Sequence, residues 1–216
     1  KKINPDEDIC GVMIETFQGW GAIFYPEEYI QELIKFSKKN NILTTFDEIQ
    51  AGFGRTGKLF GYMHYNVEPD IICCGKGSSS SLPLSVVLSS KKIMDLPDIG
   101  SMSSTHSANP LGCAAGHANF KFILDEELIE NSKKLGEILH RKLNFITKKF
   151  LNVNISVYGK GLIAGIIFRS KEGKLLSEVC TRICELCLQR GLIVVHTGRE
   201  SIKLGPPLSI DQEALV

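Results

Sequence analysis

Three residues combine useful chemistry with suggestive placement: Asp47, Gln50 and Lys76. Asp47 closes the run Ile42-Leu-Thr-Thr-Phe-Asp47, which reads as a strand, and Gln50 lies just past it. Lys76 lies just past a second strand-like run, Asp70-Ile-Ile-Cys-Cys74, entered through Glu68-Pro69. In open α/β sheets, ligands lie beyond the carboxyl ends of the strands. The stretch Ile71–Cys74 is apolar enough to be buried on both faces. A lysine at its mouth is then expected to be partly desolvated, which favours the neutral amine. A neutral amine is a nucleophile and can form a Schiff base with an aldehyde. On spacing alone, a solvated loop lysine remains the stronger reading.

Two other motifs offer chemistry and lose it on inspection. Gly52-Phe-Gly54-Arg-Thr-Gly57 follows a strand and matches G-x-G-x-x-G. A dinucleotide fingerprint also needs a helix opening inside the motif and an acid about 20 residues on. Here Lys58-Leu-Phe-Gly-Tyr-Met-His64 follows, and Glu68 and Asp70 come too early and precede a strand. As a P-loop the same stretch fails at Leu59, where Ser or Thr must reach the magnesium. A nucleotide-binding protein built on Gly52 to Lys58 is therefore the disfavoured alternative, and a glycine-rich turn the preferred one. Cys180, Cys184 and Cys187 have the C-x3-C-x2-C spacing of iron–sulfur sites. They also fall on one face of a helix that Val179, Ile183 and Leu186 support. Core packing is the preferred reading, since Cys behaves as a small hydrophobe. No metal site is expected.

The elements that must position these residues alternate strand and helix, the pattern of an α/β domain. Gly11–Glu15 reads as a buried strand. A helix from Pro26 to about Asn40 takes its apolar positions from Tyr29, Leu33, Ile34 and Phe36. Leu84–Leu88 reads as a fourth strand. Asn109-Pro110 marks a helix start, Asn as cap and Pro first. A further helix carries Leu135, Leu139, Leu143, Ile146 and Phe150. Past residue 150 come strands at Ile155–Tyr158 and Leu162–Phe168 around Gly159-Lys-Gly161. A helix then runs from about Lys174 to Arg190 and stops at Gly191. Leu192–Val195 and Ser201–Leu204 read as short strands. We therefore expect a large domain over 1–150 and a smaller C-terminal α+β domain over 151–216.

The chain has 216 residues, 43% hydrophobic, ample for a buried core. Its formal net charge of +1 balances 25 basic against 24 acidic residues, so no footprint for nucleic acid or an anionic membrane exists. No apolar run approaches the roughly 20 residues of a membrane helix. Seven cysteines, an odd number, fit a reduced compartment, cytoplasmic or an organelle matrix. The chain opens with Lys1-Lys2, shows no signal-peptide pattern and stops in what reads as a first helical turn. We read it as a segment of a longer protein.

Several ordered motifs then resemble one family. Phe46-Asp-Glu-Ile-Gln-Ala-Gly-Phe-Gly-Arg-Thr-Gly57 resembles the D-E-x-Q-x-G-x-G-R-T-G stretch of class III aminotransferases, enzymes of the type I pyridoxal 5'-phosphate (PLP) fold. Glu68-Pro-Asp-Ile71, Gly75-Lys-Gly77 and Leu82-Pro-Leu84 resemble its lysine segment in the same order. Ser104-Thr-His-Ser-Ala-Asn-Pro-Leu111, Gly159-Lys-Gly-Leu162 and Pro206-Pro-Leu208 resemble its later motifs. The resemblance covers nearly the whole chain. It implies a mixed sheet flanked by helices plus a smaller C-terminal α+β domain, and an enzyme that moves an amino group between an amine or amino acid and an oxo acid or aldehyde.

The resemblance also implies roles. Lys76 would form the Schiff base with PLP and then shuttle a proton. Asp47 would pair with the pyridine nitrogen and keep the ring an electron sink. Gln50 would hydrogen-bond the ring oxygen. Thr105 would bind the cofactor phosphate of a neighbouring subunit in a homodimer with shared active sites. Glu48 and Arg55 read as structural, and His106 as packed or hydrogen-bonded. A PLP decarboxylase or aminomutase of the same fold is the alternative.

Two positions depart from the family pattern. Many members carry Arg at Lys203, gripping the α-carboxylate of glutamate or 2-oxoglutarate. Lys203 supplies charge without the bidentate fork. Many also carry Glu, paired with that Arg, where Gln18-Gly-Trp20-Gly21 places an aromatic. Trp20 and Lys203 are therefore the candidate substrate residues of a changed pocket.

Overall fold

The alternation of apolar runs and helical spacing folds as two units in the computed structural model, which describes residues 9–216. The first unit holds the chain up to Thr16, Tyr25–Phe53 and Phe60–Glu126; the second holds Phe17–Phe24, Gly54–Leu59 and Glu127–Val216. In chain order the elements are β1 (Gly11–Glu15), β2 (Phe17–Gln18), β3 (Ile23–Phe24), α1 (Glu27–Lys39), β4 (Leu43–Asp47), β5 (Ile71–Cys74), β6 (Val86–Ser89) and α2 (Lys91–Met94). There follow α3 (Pro110–Asp125), α4 (Leu128–Thr147), β7 (Asn154–Lys160), β8 (Ile163–Arg169), α5 (Ser177–Leu188), β9 (Val195–His196), β10 (Ser201–Leu204) and α6 (Gln212–Leu215). Single 3-10 turns span Gly61–Tyr65 and Lys76–Ser78. No helix among the described residues is long and apolar enough to cross a membrane.

The first unit is built on a mixed sheet in the order β1-β4-β5-β6. The first three strands run parallel and β6 antiparallel. On β4, Thr44 and Phe46 are buried while Leu43, Thr45 and Asp47 are half-buried. Successive side chains of a strand point to opposite faces, so Asp47 lies on the face away from Phe46. Phe46 is fully buried beside the rings of Tyr62 and Tyr65, 5.9 and 6.5 Å between centroids. Burying such a ring contributes roughly 2–3 kcal/mol. Helix α1 starts at Pro26 and buries Ile30, Ile34 and Ser37. Its first turn carries Glu27 and Glu28 and its last Lys38 and Lys39, each favourable to the helix dipole. Asn109 caps α3, its side-chain oxygen accepting from Leu111 N (3.0 Å) and Gly112 N (3.3 Å).

The second unit is an antiparallel sheet in the order β7-β8-β10-β9. Its central strand β8 is buried along most of its length. Leu135 and Leu139 of α4 pack with Leu162 and Ala164. Cys180 of α5 packs with Phe168 and Ile202, and Cys184 lies against that cluster, which is the expected core role for both. The short hairpin β2–β3 holds the loop Gln18–Gly21 close to β8. A Cβ at Gly165 would sit 2.0 Å from Gly21 O, so only glycine fits there.

Several expectations change. The units do not divide near residue 150: α4 belongs with the second, where its apolar face finds Leu162. Strand β1 is not buried, with Met13 58% exposed, because β4 is its only neighbour among the described residues. Nor is β5 buried on both faces; Ile71 to Cys73 are half-buried, and β6 has β5 as its only neighbour among the described residues. Tyr29, Ile146 and Phe150 are exposed, pointing off the apolar faces that spacing assigned to them. Of Leu192–Val195 only Val195 pairs as strand.

Candidate active site

Asp47 is the last residue of β4, and its Oδ1 accepts the backbone N–H of Ile49 at 2.9 Å. Such a short-range turn holds the carboxylate at the strand end. Its Oδ2 accepts no hydrogen bond among the described residues. Gln50 follows in the turn and is half-buried. Across the parallel pair, Asp47 stands in register with Cys73. Asp47 and Cys73 therefore share a face of the sheet, and Lys76 follows Cys73 by three residues. The structure thus brings Asp47, Gln50 and Lys76 to the carboxyl ends of two adjacent strands.

Lys76 sits on the 3-10 turn Lys76–Ser78 with φ of +40°, in the left-handed region that non-glycine residues rarely adopt. Neighbours impose this conformation. Ser78 N donates to Gly75 O (2.9 Å) and Ser78 Oγ to Leu84 O (2.7 Å). Asn119 Nδ2 of α3 donates to Gly77 O at 2.8 Å. A Cβ at Gly116 would meet Leu84 Cδ2 at 2.5 Å, so glycine lets α3 approach the turn. Strain held in place by surrounding structure is a recurrent property of functional sites. The side chain of Lys76 is exposed among the described residues, not partly desolvated as expected; β6, the partner of β5, has no further neighbour among them. Two thiols stand next to it. Burial, then Glu48, Cys73 and Asp47, push the Cys74 thiol up to about 11. Burial and Asp47 raise Cys73 as well. Both thiols stay protonated at neutral pH and do not compete as nucleophiles.

Glu48 and Arg55 hold structure, as expected. Glu48 is fully buried; its carboxylate accepts from Thr16 Oγ1, Gly61 N (2.7 Å) and Tyr62 N (2.7 Å). Burial raises its carboxyl above the usual range, although these three donors pull it down. Arg55 Nη1, in the second unit, donates to Leu162 O (2.9 Å) and Pro206 O (2.6 Å). The glycine-rich stretch is a turn: no helix opens within Gly52–Gly57. In the second unit a Cβ at Gly57 would lie 3.0 Å from Lys133 Cα, so its glycine serves close packing.

Lys203 reaches the loop that carries Trp20 in the second unit. Lys203 Nζ donates to Gly19 O (2.7 Å) and Ser201 Oγ to Trp20 O (2.9 Å). Trp20 Nε1 donates to Gln18 Oε1 (3.1 Å). The guanidinium of Arg199 lies 4.0 Å from the centre of the Trp20 ring. No sequence signal singles out Arg199, which reads as one charge in a surface turn. Thr105 and His106 stand apart from these groups, in a stretch exposed from Met94 to Leu111. His106 is exposed there and not packed, where a packed or hydrogen-bonded histidine was expected.

A family model described as aminotransferase class III matches residues 2–216. The chain belongs to the class III aminotransferase family. Among curated relatives of this class III chain, the alanine/serine racemase of Pyrococcus horikoshii is 35% identical over 212 residues, covering 97% of this chain and 44% of the relative. The ornithine aminotransferase of Plasmodium yoelii yoelii is 36% identical over 216 residues, covering 97% of this chain and 50% of the relative. The solved acetylornithine aminotransferase of Elizabethkingia anophelis is 32% identical with a TM-score of 0.88, covering 98% of this chain and 53% of that one. The class III fold is thus shared, and the chain spans about half the length of the curated relatives it matches.

Proposed function

We propose that the whole protein is a PLP-dependent aminotransferase acting on small amine and oxo substrates. The observation that carries this reading is a carboxylate and a primary amine on the ends of neighbouring parallel strands, in a class III chain. The donor set suits PLP. Lys76 offers an exposed primary amine to an aldehyde. Asp47 offers an oxygen that no described protein group uses to a protonated ring nitrogen. Gln50 offers an amide donor to the ring oxygen. When bound, PLP would supply an aldehyde and an electron sink.

The chain's own residues do the rest. Lys76 would hold PLP through its amine and would move a proton at the substrate carbon that bears nitrogen. Asp47, fixed by Ile49 N, would pair with the ring nitrogen and keep it protonated. Thr105, on the exposed stretch after α2, would take the cofactor phosphate of a second subunit in a homodimer with shared active sites. Lys203, bonded to Gly19 O, supports the Trp20 loop, and Trp20 borders the substrate.

The test is trapping. Borohydride should fix a pyridoxyl group on Lys76 of the complete protein, and an adduct elsewhere would overturn the reading. The racemase among its relatives marks the second outcome to separate. Products in which the nitrogen has moved to an acceptor support transfer. Carbon dioxide, an isomerised amine or an inverted centre points to the decarboxylase, aminomutase or racemase reaction.

A further inference from the structure

Among the described residues, Asn119 makes the one hydrogen bond that a side chain of another element gives to the Lys76–Ser78 turn, Nδ2 to Gly77 O at 2.8 Å. It lies on a face of α3 shaped to reach that turn. Gly112, Gly116 and Asn119 are spaced four and then three residues apart, so they share one side of the helix. A Cβ at Gly112 would lie 3.6 Å from Pro83 O, and one at Gly116 would lie 3.3 Å from Ser78 O. The two glycines set the backbone of α3 close enough for the short Asn119 amide to reach Gly77. The next residue, Phe120, meets the ring of Phe53 edge-on, 6.2 Å between centroids. Phe53 is itself left-handed, with φ of +56°, and a Cβ at Gly77 would stand 3.3 Å from its Cβ. Gly77 is therefore held by two contacts, the Asn119 amide and the Phe53 side chain. On the other flank of Lys76, a Cβ at Gly75 would lie 3.3 Å from Ile49 Cγ2. All of these residues belong to the first unit.

Lys76 stands between the two held glycines at φ of +40°, a conformation that a residue with a Cβ leaves when nothing opposes it. Freeing the Gly77 carbonyl removes one restraint. We propose that Asn119 is a positioning residue: through Gly77 O it holds the Lys76 backbone in the left-handed conformation and so aims Nζ at the aldehyde carbon of the cofactor. This rests on the PLP reading above. The step it serves is a condensation. Nζ bonds to the aldehyde carbon, the carbonyl oxygen leaves as water with the two protons of the neutral amine, and no electrons are gained or lost. A lysine correctly aimed for only part of the time binds the aldehyde with an affinity reduced by that fraction. One neutral hydrogen bond shifts such an equilibrium about threefold to tenfold.

The experiment titrates the complete protein, freed of cofactor, with PLP and with deoxypyridoxine phosphate, which has a methyl group where PLP has its aldehyde. Asn119→Leu keeps the size and loses the donor. It should weaken PLP about threefold to tenfold and leave the deoxy compound within about twofold of the wild type. Asn119→Gln, which keeps an amide donor, should fall between Asn119→Leu and the wild type. Unchanged PLP affinity in Asn119→Leu overturns the proposal. Equal losses for both compounds overturn it too, because general damage to the fold does not distinguish them. A second measurement needs no cofactor. The urea midpoint of Lys76→Gly should exceed that of Lys76→Ala, since glycine is unstrained at this φ. With Asn119→Leu added to both, the turn relaxes and the gap should shrink by about half or more. A gap of unchanged size shows that Asn119 does not hold the turn, and the proposal fails. If borohydride fixes no adduct on Lys76 of the wild type, the PLP reading fails alone, and the midpoint gap still decides Asn119.

Discussion

Asp47 and Cys73 stand side by side in register at the ends of two parallel strands, which puts the acid on the same sheet face as the strand that leads into Lys76. This relation separates two variants. Lys76→Ala should lose the borohydride-fixed pyridoxyl adduct and at least about a hundredfold of activity, the scale of a lost general acid–base. Asp47→Asn should keep the adduct on Lys76, since the amine is untouched, but lose a charge-assisted contact. Its turnover should fall on the order of tenfold or more. Mass spectrometry of the trapped peptide and steady-state rates check both.

The backbone at Lys76 makes a second prediction that needs no cofactor. With φ at +40°, any residue with a Cβ is strained there, and glycine is not. Lys76→Gly should therefore be more stable than Lys76→Ala by about 1 kcal/mol, the usual cost of the left-handed region. Urea denaturation of the two variants decides it. A less stable glycine variant would show that the turn relaxes in solution.

How much of this was legible beforehand depended on the range of each signal. The strand ends at Asp47 and Cys74, the cap at Asn109 and the apolar spacing of α4 from Leu135 to Leu143 are local, and they are found where spacing puts them. Strands β2 and β3 have two residues each, too few for a period to register. The 3-10 turn at Gly61–Tyr65 is organised by Glu48, a buried carboxylate well upstream whose partners no sequence window joins. Arg199 and Trp20 are far apart in the chain, and a cation over a ring leaves no local pattern. The exposure of Lys76 among the described residues is not legible either, because the apolar run before it says nothing about what packs on the turn that follows.

Glu48 carries a large expected loss of stability in the first unit. Its carboxylate serves three donors from Thr16, Gly61 and Tyr62. Glu48→Gln keeps the size but turns one acceptor oxygen into an N–H donor, which faces another donor. The variant should lose about 2–3 kcal/mol, the cost of leaving a buried partner unsatisfied. Thr16→Val removes a single donor and should cost about 1 kcal/mol. Urea midpoints of both variants test the order, and a larger loss for Thr16→Val would assign the cost to the strand end, not to the carboxylate.

His140 of α4 gives the fold a pH dependence of defined sign. Its Nε2 lies 3.2 Å from Gly161 O. Burial lowers its pKa and outweighs the backbone contacts at Gly161 and Ile163 that raise it, with Lys160 adding to the depression. In the unfolded chain the ring titrates near its ordinary value of about 6.5. Below that value the unfolded chain takes up a proton that the folded ring still refuses, so the unfolded state is favoured. The stability tied to a neutral His140 is present above about pH 6.5 and is lost as pH falls toward the lower, folded value. His140→Gln removes the titration while keeping an N–H that can reach Gly161 O. The difference in urea midpoint between wild type and His140→Gln should be flat above about pH 7 and should move against the wild type as pH falls below about 6.5. A difference that stays constant down to about pH 5 would mean that the ring takes up its proton equally in both states, and that the pocket between α4 and the Gly161 turn is open to water.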